Sequence, residues 1–271
     1  MAGYFHARNA LKRDLNLNPY SNESVSLYLN SEELYPHDGT YTLNYMRSAM
    51  AHEAMHMQNF YRRGVSQGSD ASYDLWLEEA TAMMFEDFAS HSTVENFNAI
   101  RDARFSSYVR SGDRIHNCSL LEWNPTGTCN GYSIWGSLGG FLNRQLGLSF
   151  YKHLLYNFSS TDSMTVLDSS IRATAATSSF QQQLRGFAAT SGALMKEPAP
   201  VGFGFPLREE GRFVLPVIDA HAFLTNSNQL SAVPAALQPY AYVPGVRQNV
   251  TGMYSETVKI PPNSSLSVVI Q

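Results

Sequence analysis

The stretch "AHEAMHMQNF", residues 51–60, carries His52, Glu53 and His56 in the spacing His-Glu-x-x-His. Residues four apart on a helix share one face, so the two imidazoles project side by side and each can give one nitrogen to a single zinc ion. Glu53 points slightly aside, within reach of a water in the open fourth position without being a ligand. Zinc lowers the pKa of such a water to near 7, and the carboxylate takes its proton during attack. The pattern therefore predicts metal-assisted hydrolysis. The bland reading of the same residues is a pair of core or surface histidines on an amphipathic helix.

Two histidines do not make a catalytic zinc site, which has three protein ligands and a water. Six residues after His56 stands Arg62, which excludes a third histidine at that spacing. A later segment, "WLEEATAMMFEDF" from Trp76, offers Glu78 and Glu79. On the residues alone both stay open, and either is also readable as a solvated charge. Glu86 or Asp87, about two turns on, could accept a hydrogen bond from a ligand histidine's other nitrogen, or could be a solvated acidic pair.

The elements that must position these residues are legible in part. In "SVSLYLNS", residues 24–31, Val25, Leu27 and Leu29 alternate with polar neighbours, the period of a half-buried strand. Its free backbone groups would pair with an extended peptide. Pro36 and Asp38-Gly39 then mark a turn. From Tyr41 to about Tyr61, Tyr45, Ala49, His52, His56 and Phe60 recur at helical steps. Gly64 reads as the helix stop, with Arg62 and Arg63 at the negative end of the dipole. A second helix over about 73–91 has Trp76, Leu77, Ala80, Met84 and Phe88 as its apolar stripe. Further helices are expected at about 94–110, 132–146, 148–157, 163–174 and 178–193. Gly136, Gly139 and Gly140 lie inside a helical pattern, where each costs about 1 kcal/mol against alanine, so they predict close packing against another helix. Near residue 197 prolines begin to recur and the helical period disappears. "RFVLPVIDAHAFL", "YAYVPGV" and "SETVKIPPNSSLSVVIQ" read as strands broken by turns. The expected fold class is α+β, with a mostly helical catalytic unit over 1–196, an edge strand near its start, and a small β-rich domain over 197–271.

The 271 residues, 44% hydrophobic, suffice for a sizeable core. A formal charge of −4 with 15% charged residues argues against nucleic acid or an anionic membrane as partner. No run approaches the length of a membrane span. The first fifteen residues hold no apolar signal region, so a secretory signal would lie upstream, and the chain reads as a piece of a longer one. The two cysteines, Cys118 and Cys129, flank a turn-rich loop. We read them as a disulfide worth roughly 2–3 kcal/mol and as a sign of an oxidising compartment, the alternative being two buried thiols.

"AHEAMHMQNFYRR" followed by "WLEEATAMMFEDF" resembles the hyicolysin-type family of zinc metallopeptidases, in the glutamate-zincin group, most strongly over about residues 24–155. In that group the third ligand sits in a Trp-x-x-Glu-(Gly)-x-Ala setting, here Trp76, Glu79 and Ala82. Ala80 stands where glycine is common. The resemblance implies His52, His56 and Glu79 as Zn2+ ligands, Glu53 as general base and a protein or peptide substrate. It also implies a tyrosine or histidine, placed after the third ligand, that donates to the oxyanion. Tyr132 in "CNGYSIWG" fits that role best, with His153 in "FYKHLLYN" second and simple packing as the bland reading. The expectation is thus a secreted or cell-surface zinc endopeptidase. The alternatives are a catalytically idle binding module on the same scaffold and a zinc hydrolase of a non-protein substrate. Oligomeric state is not legible.

Overall fold

The computed structural model describes residues 3–34, 41–93, 96–226, 233–247 and 250–270. The turn expected at Pro36 to Gly39 and the first two residues of the helix expected from 94 lie outside them.

Near the start, β1 (Gly3–Phe5) pairs antiparallel with β2 (Leu27–Leu29), in a register that sets Tyr4 opposite Tyr28. Their rings stack with centroids 4.8 Å apart. The strand read from alternation over 24–31 is thus real but shorter, and its backbone is paired with β1. The strand that sends a backbone group to the helix carrying the histidines is β1, which the sequence did not suggest.

That helix, α1 (Tyr41–Asn59), runs on into a π-helical turn, Phe60–Val65. Gly64 sits inside this turn and does not end the helix. Arg63 does not serve the helix dipole. It is buried, its guanidinium lies 3.9 Å from the Tyr73 ring centroid, and it donates to the carbonyls of Ala71 and Asn157. A buried cation of this kind ties the end of α1 to the following loop and to the end of a later helix.

The second helix, α2 (Leu75–Thr93), packs against α1 and buries the whole stripe read from its sequence, Trp76, Leu77, Ala80, Met84 and Phe88. A π-helical turn (Ile100–Arg104) leads into the short α3 (Phe105–Arg110). The central helix α4 (Gly131–Tyr156) lies against α2 and is interrupted at Gly147, whose φ of 75° no ordinary side chain favours. The interruption falls between the two helices expected at 132–146 and 148–157. The glycines of α4 allow the close approach they predicted. A Cβ on Gly139 would lie 2.8 Å from Met84, and one on Gly136 would lie 2.8 Å from the stem of Arg104. The helices α5 (Ser163–Thr174) and α6 (Phe180–Ala193) follow, capped by the side chains of Asp162 and Ser179.

Beyond 197 the only regular strands among the described residues are β3 (Arg208–Glu210) and β4 (Phe213–Leu215), an antiparallel hairpin. "YAYVPGV" and the described part of the last seventeen residues form none, a correction to the sequence reading. Prolines interrupt these runs and remove the donors a ladder needs. The segment is nonetheless built into the core. Phe205 packs among Phe105, Phe141 and Phe187, and Phe213 lies against Phe88. Arg144 of α4 pairs with Asp87 of α2, both side chains wholly buried, and donates to the carbonyl of Pro216. The architecture is mostly helical, with two small two-stranded sheets.

Candidate metal centre

α1 and α2 lie face to face and bring the sequence-predicted residues together. His52 Nε2 is 3.2 Å and His56 Nε2 is 3.8 Å from Glu79 Oε2. One potential ligand atom from each of these residues falls within 4.8 Å of the others. The local reason is helical geometry. His52 and His56 are one turn apart on the face of α1 turned to α2, and Glu79 is in the second turn of α2.

The outer nitrogens distinguish the two glutamates that the sequence left open. His52 Nδ1 is 2.7 Å from Glu86 Oε1, and His56 Nδ1 is 2.9 Å from Glu78 Oε1. With Nδ1–H directed at a carboxylate, each imidazole turns Nε2 toward the centre, the nitrogen that a metal would take in place of a proton. Glu78 therefore stands behind His56, where the sequence offered it only as a rival ligand. Asn59 extends this arrangement by donating to Glu78 at 3.0 Å and to Thr81 at 2.9 Å. Of the pair offered as a second support, Glu86 contacts the histidine and Asp87 is bound to Arg144. Arg104 completes the outer layer by donating to both oxygens of Glu86, at 2.8 and 3.1 Å. Only Asn59 had a local sequence signal, its position three residues after His56. Arg104 had none, since it arrives from a separate turn.

The charges in this cluster are strongly coupled. Burial opposes a charge on Glu86, but Arg104 and the hydrogen bond from His52 outweigh it and hold the carboxyl at about 2. Burial likewise opposes protonation of His52. Its hydrogen bonds with Glu79 and Glu86 outweigh that and push it up to about 9. A site that favours positive charge in this way suits a cation. Two imidazole nitrogens, one carboxylate oxygen and fixed outer partners also fit the donor set of a catalytic zinc ion.

Glu53 lies on α1 beside the trio. Its Oε2 accepts the backbone N–H of Phe5 in β1 at 2.8 Å, while its other oxygen has no hydrogen-bond partner among the described residues. Tyr132 opens α4, where Asn130 accepts from the amides of Tyr132 and Ser133 as the helix cap. Its ring is 6.2 Å from that of His52, beneath the Arg104 guanidinium and edge-on to Trp123. Burial and the nearby charge of Glu79 push the phenol up to about 12, so it is a protonated donor at neutral pH. His153, the second choice for that role, is elsewhere. It is exposed near the end of α4 and lines a separate groove with Tyr156 and Ser169. Cys118 and Cys129 form a disulfide, as expected, closing the loop that precedes α4 and carries Trp123.

Two histidines from one helix and a glutamate from the next thus form a possible metal site, with the donor set that metallopeptidases use. Comparison places the chain more narrowly. The profile of the peptidase M30 family matches residues 1–271, and the chain belongs to that family. It is 28% identical over 166 residues to the neutral metalloprotease ShpI of Staphylococcus hyicus. That match covers 59% of this chain and 34% of the relative, so the chain spans about a third of the relative it matches.

Proposed function

We propose that this chain is the catalytic part of an exported zinc endopeptidase that cleaves peptide bonds in protein substrates. The observation that carries the reading is the convergence of His52 Nε2, His56 Nε2 and Glu79 Oε2, with both outer imidazole nitrogens held by carboxylates. These three residues would hold the ion. A bound zinc ion supplies Lewis acidity for the substrate carbonyl and for the attacking water.

The chain's own residues do the rest. Glu53 accepts a proton from the attacking water at its unpaired oxygen and later delivers it to the leaving amine nitrogen, so a single carboxylate acts as base and then as acid. The Phe5 amide on the other oxygen holds that carboxylate in place. Tyr132, protonated and adjacent to the trio, donates its hydroxyl hydrogen to the oxyanion as the carbonyl becomes tetrahedral. The disulfide supports an oxidising compartment and hence export. No helix among the described residues is long and apolar enough to cross a membrane. The division at residue 196 also belongs to this reading. All the proposed site residues precede it, and 197–271 is the segment that completes the core beneath them.

The test is to measure metal content together with casein hydrolysis, with and without a chelator. One equivalent of zinc and chelator-sensitive cleavage are expected. Stoichiometric zinc with no cleavage of any protein or peptide would leave only an idle scaffold or a non-peptide hydrolase.

A further inference from the structure

A cavity of about 520 Å³ opens at the start of α2. Two links tie it to the metal centre. Leu75 in its wall is four residues before Glu79 on α2, so the two lie on one face about one turn, or roughly 5.4 Å, apart. Trp123, also in the lining, packs edge-on against Tyr132 with ring centroids 4.9 Å apart, and Tyr132 in turn neighbours His52. A peptide whose carbonyl reached the space between Glu53 and Tyr132 would therefore have a flanking side chain directed at this cavity.

The lining indicates which side chain. Trp123, Leu75, Leu121 and Met164 supply apolar walls, and Leu75 is 55% exposed, a large apolar surface left open at a cleft. Asp74 and Asp162, both exposed, supply the only charges of the lining. Neither forms an ion pair among the described residues, and one oxygen of Asp162 accepts the Thr165 amide as the cap of α5. Burial of a long aliphatic stem against an indole, with a cation at its tip meeting two carboxylates, is how lysine and arginine side chains are accommodated at partly solvated sites. A purely apolar side chain would fill the walls but give the two carboxylates no counter-charge. An acidic one would meet like charge.

We infer that this cavity is the specificity pocket of the proposed peptidase, and that it selects a lysine or arginine beside the scissile bond of the substrate. The inference rests on the peptidase reading above and adds the substrate class. Asp74 and Asp162 are its specificity-determining residues, with Trp123 as the platform for the stem.

The test is digestion of a proteome-derived peptide mixture with the full chain loaded with zinc, with cleavage sites read by mass spectrometry. Lysine and arginine should be enriched at one fixed position within two residues of the cut. The ratio of kcat/KM for a lysine peptide over its norleucine counterpart should then fall about 5-fold in Asp74→Asn/Asp162→Asn, the scale of two partly solvated charge pairs. Asparagine retains the capping of α5 by residue 162, so this variant keeps its fold. Asp74→Lys should move the preference toward glutamate at the same position. Cleavage with no basic enrichment, or enrichment that survives the double variant, overturns the pocket while leaving the peptidase reading intact. Absence of cleavage of any peptide overturns both.

Discussion

At the scale of single residues, the two neighbouring glutamates of α2 have separable parts. Glu79 faces the histidines' inner nitrogens, whereas Glu78 grips the outer nitrogen of His56 and is itself held by Asn59. Loss of an outer partner costs metal affinity about 10- to 100-fold in comparable sites. Glu78→Ala is therefore expected to weaken zinc binding about 10-fold, more than its sequence position suggests. Glu79→Gln removes a charged ligand and should exceed about 100-fold. Competition against a chromophoric chelator measures both, and a reversed order would make Glu78 the ligand. Glu53 contacts none of the three inward atoms by a hydrogen bond and is tied instead to the Phe5 amide. Glu53→Gln should keep its zinc and its melting temperature while losing peptidase activity by at least about 100-fold, the contribution of a positioned general base. Loss of zinc from this variant would show the base to be misassigned.

At the scale of elements, the centre depends on a turn that carries none of its proposed ligands. The π-helical turn Ile100–Arg104 delivers Arg104 to Glu86, and Glu86 holds His52. Arg104→Met strands a buried carboxylate whose low pKa depends first on that arginine. Breaking a buried ion pair from one side costs about 3–5 kcal/mol, which urea denaturation would read. Arg104→Met/Glu86→Gln strands no charge, and the amide oxygen it places at position 86 can still accept from His52, so it should recover most of the loss. A double variant no more stable than the single one would mean that Arg104 acts through packing alone. Sequence periodicity could not have found this device. It reports which residues of one helix share a face, and Arg104 reaches Glu86 across eighteen positions of chain. The same limit explains β1. The alternation that revealed β2 is a local signal, but the three-residue strand paired with it carries no pattern of its own.

At the scale of the whole molecule, the segment after 196 closes one side of the core. Phe205, Leu215 and Ile218 are essentially buried, and Pro216 accepts from Arg144. Each such apolar side chain contributes about 1.5–3 kcal/mol when fully buried, comparable in sum to the net stability of a domain. A chain ending at residue 196 is thus expected to lose cooperative thermal unfolding, even though it keeps every proposed site residue. A sharp melt at an unchanged temperature would show two independent units. The core also sets an alkaline limit. Burial pushes Tyr73 and Tyr242 up to about 12, above the unfolded value of 10. The folded state then holds more protons than the unfolded one above pH 10. Stability is complete below about pH 10 and falls as pH rises toward 12. Tyrosinate absorbance from these residues should appear together with loss of near-ultraviolet circular dichroism, not before it.

The chemistry and the helices that carry it were legible along the chain. Four-residue spacing puts His52 and His56 on one face wherever that helix is placed, and a following helix offering glutamates supplies an oxygen donor. The stripes of α2 and the break in α4 at Gly147 were readable because helical period and glycine are local properties. The relations between elements came from packing alone. These are the outer position of Glu78, the pairing of Glu86 with Arg104, the Phe5 amide on Glu53, the placement of His153 in a separate groove, and the folding of 197–271 into the core. Each depends on the rotation and approach of one element against another. That is set by close packing of side chains distant in sequence, as where Gly136 and Gly139 let α4 settle onto Arg104 and Met84.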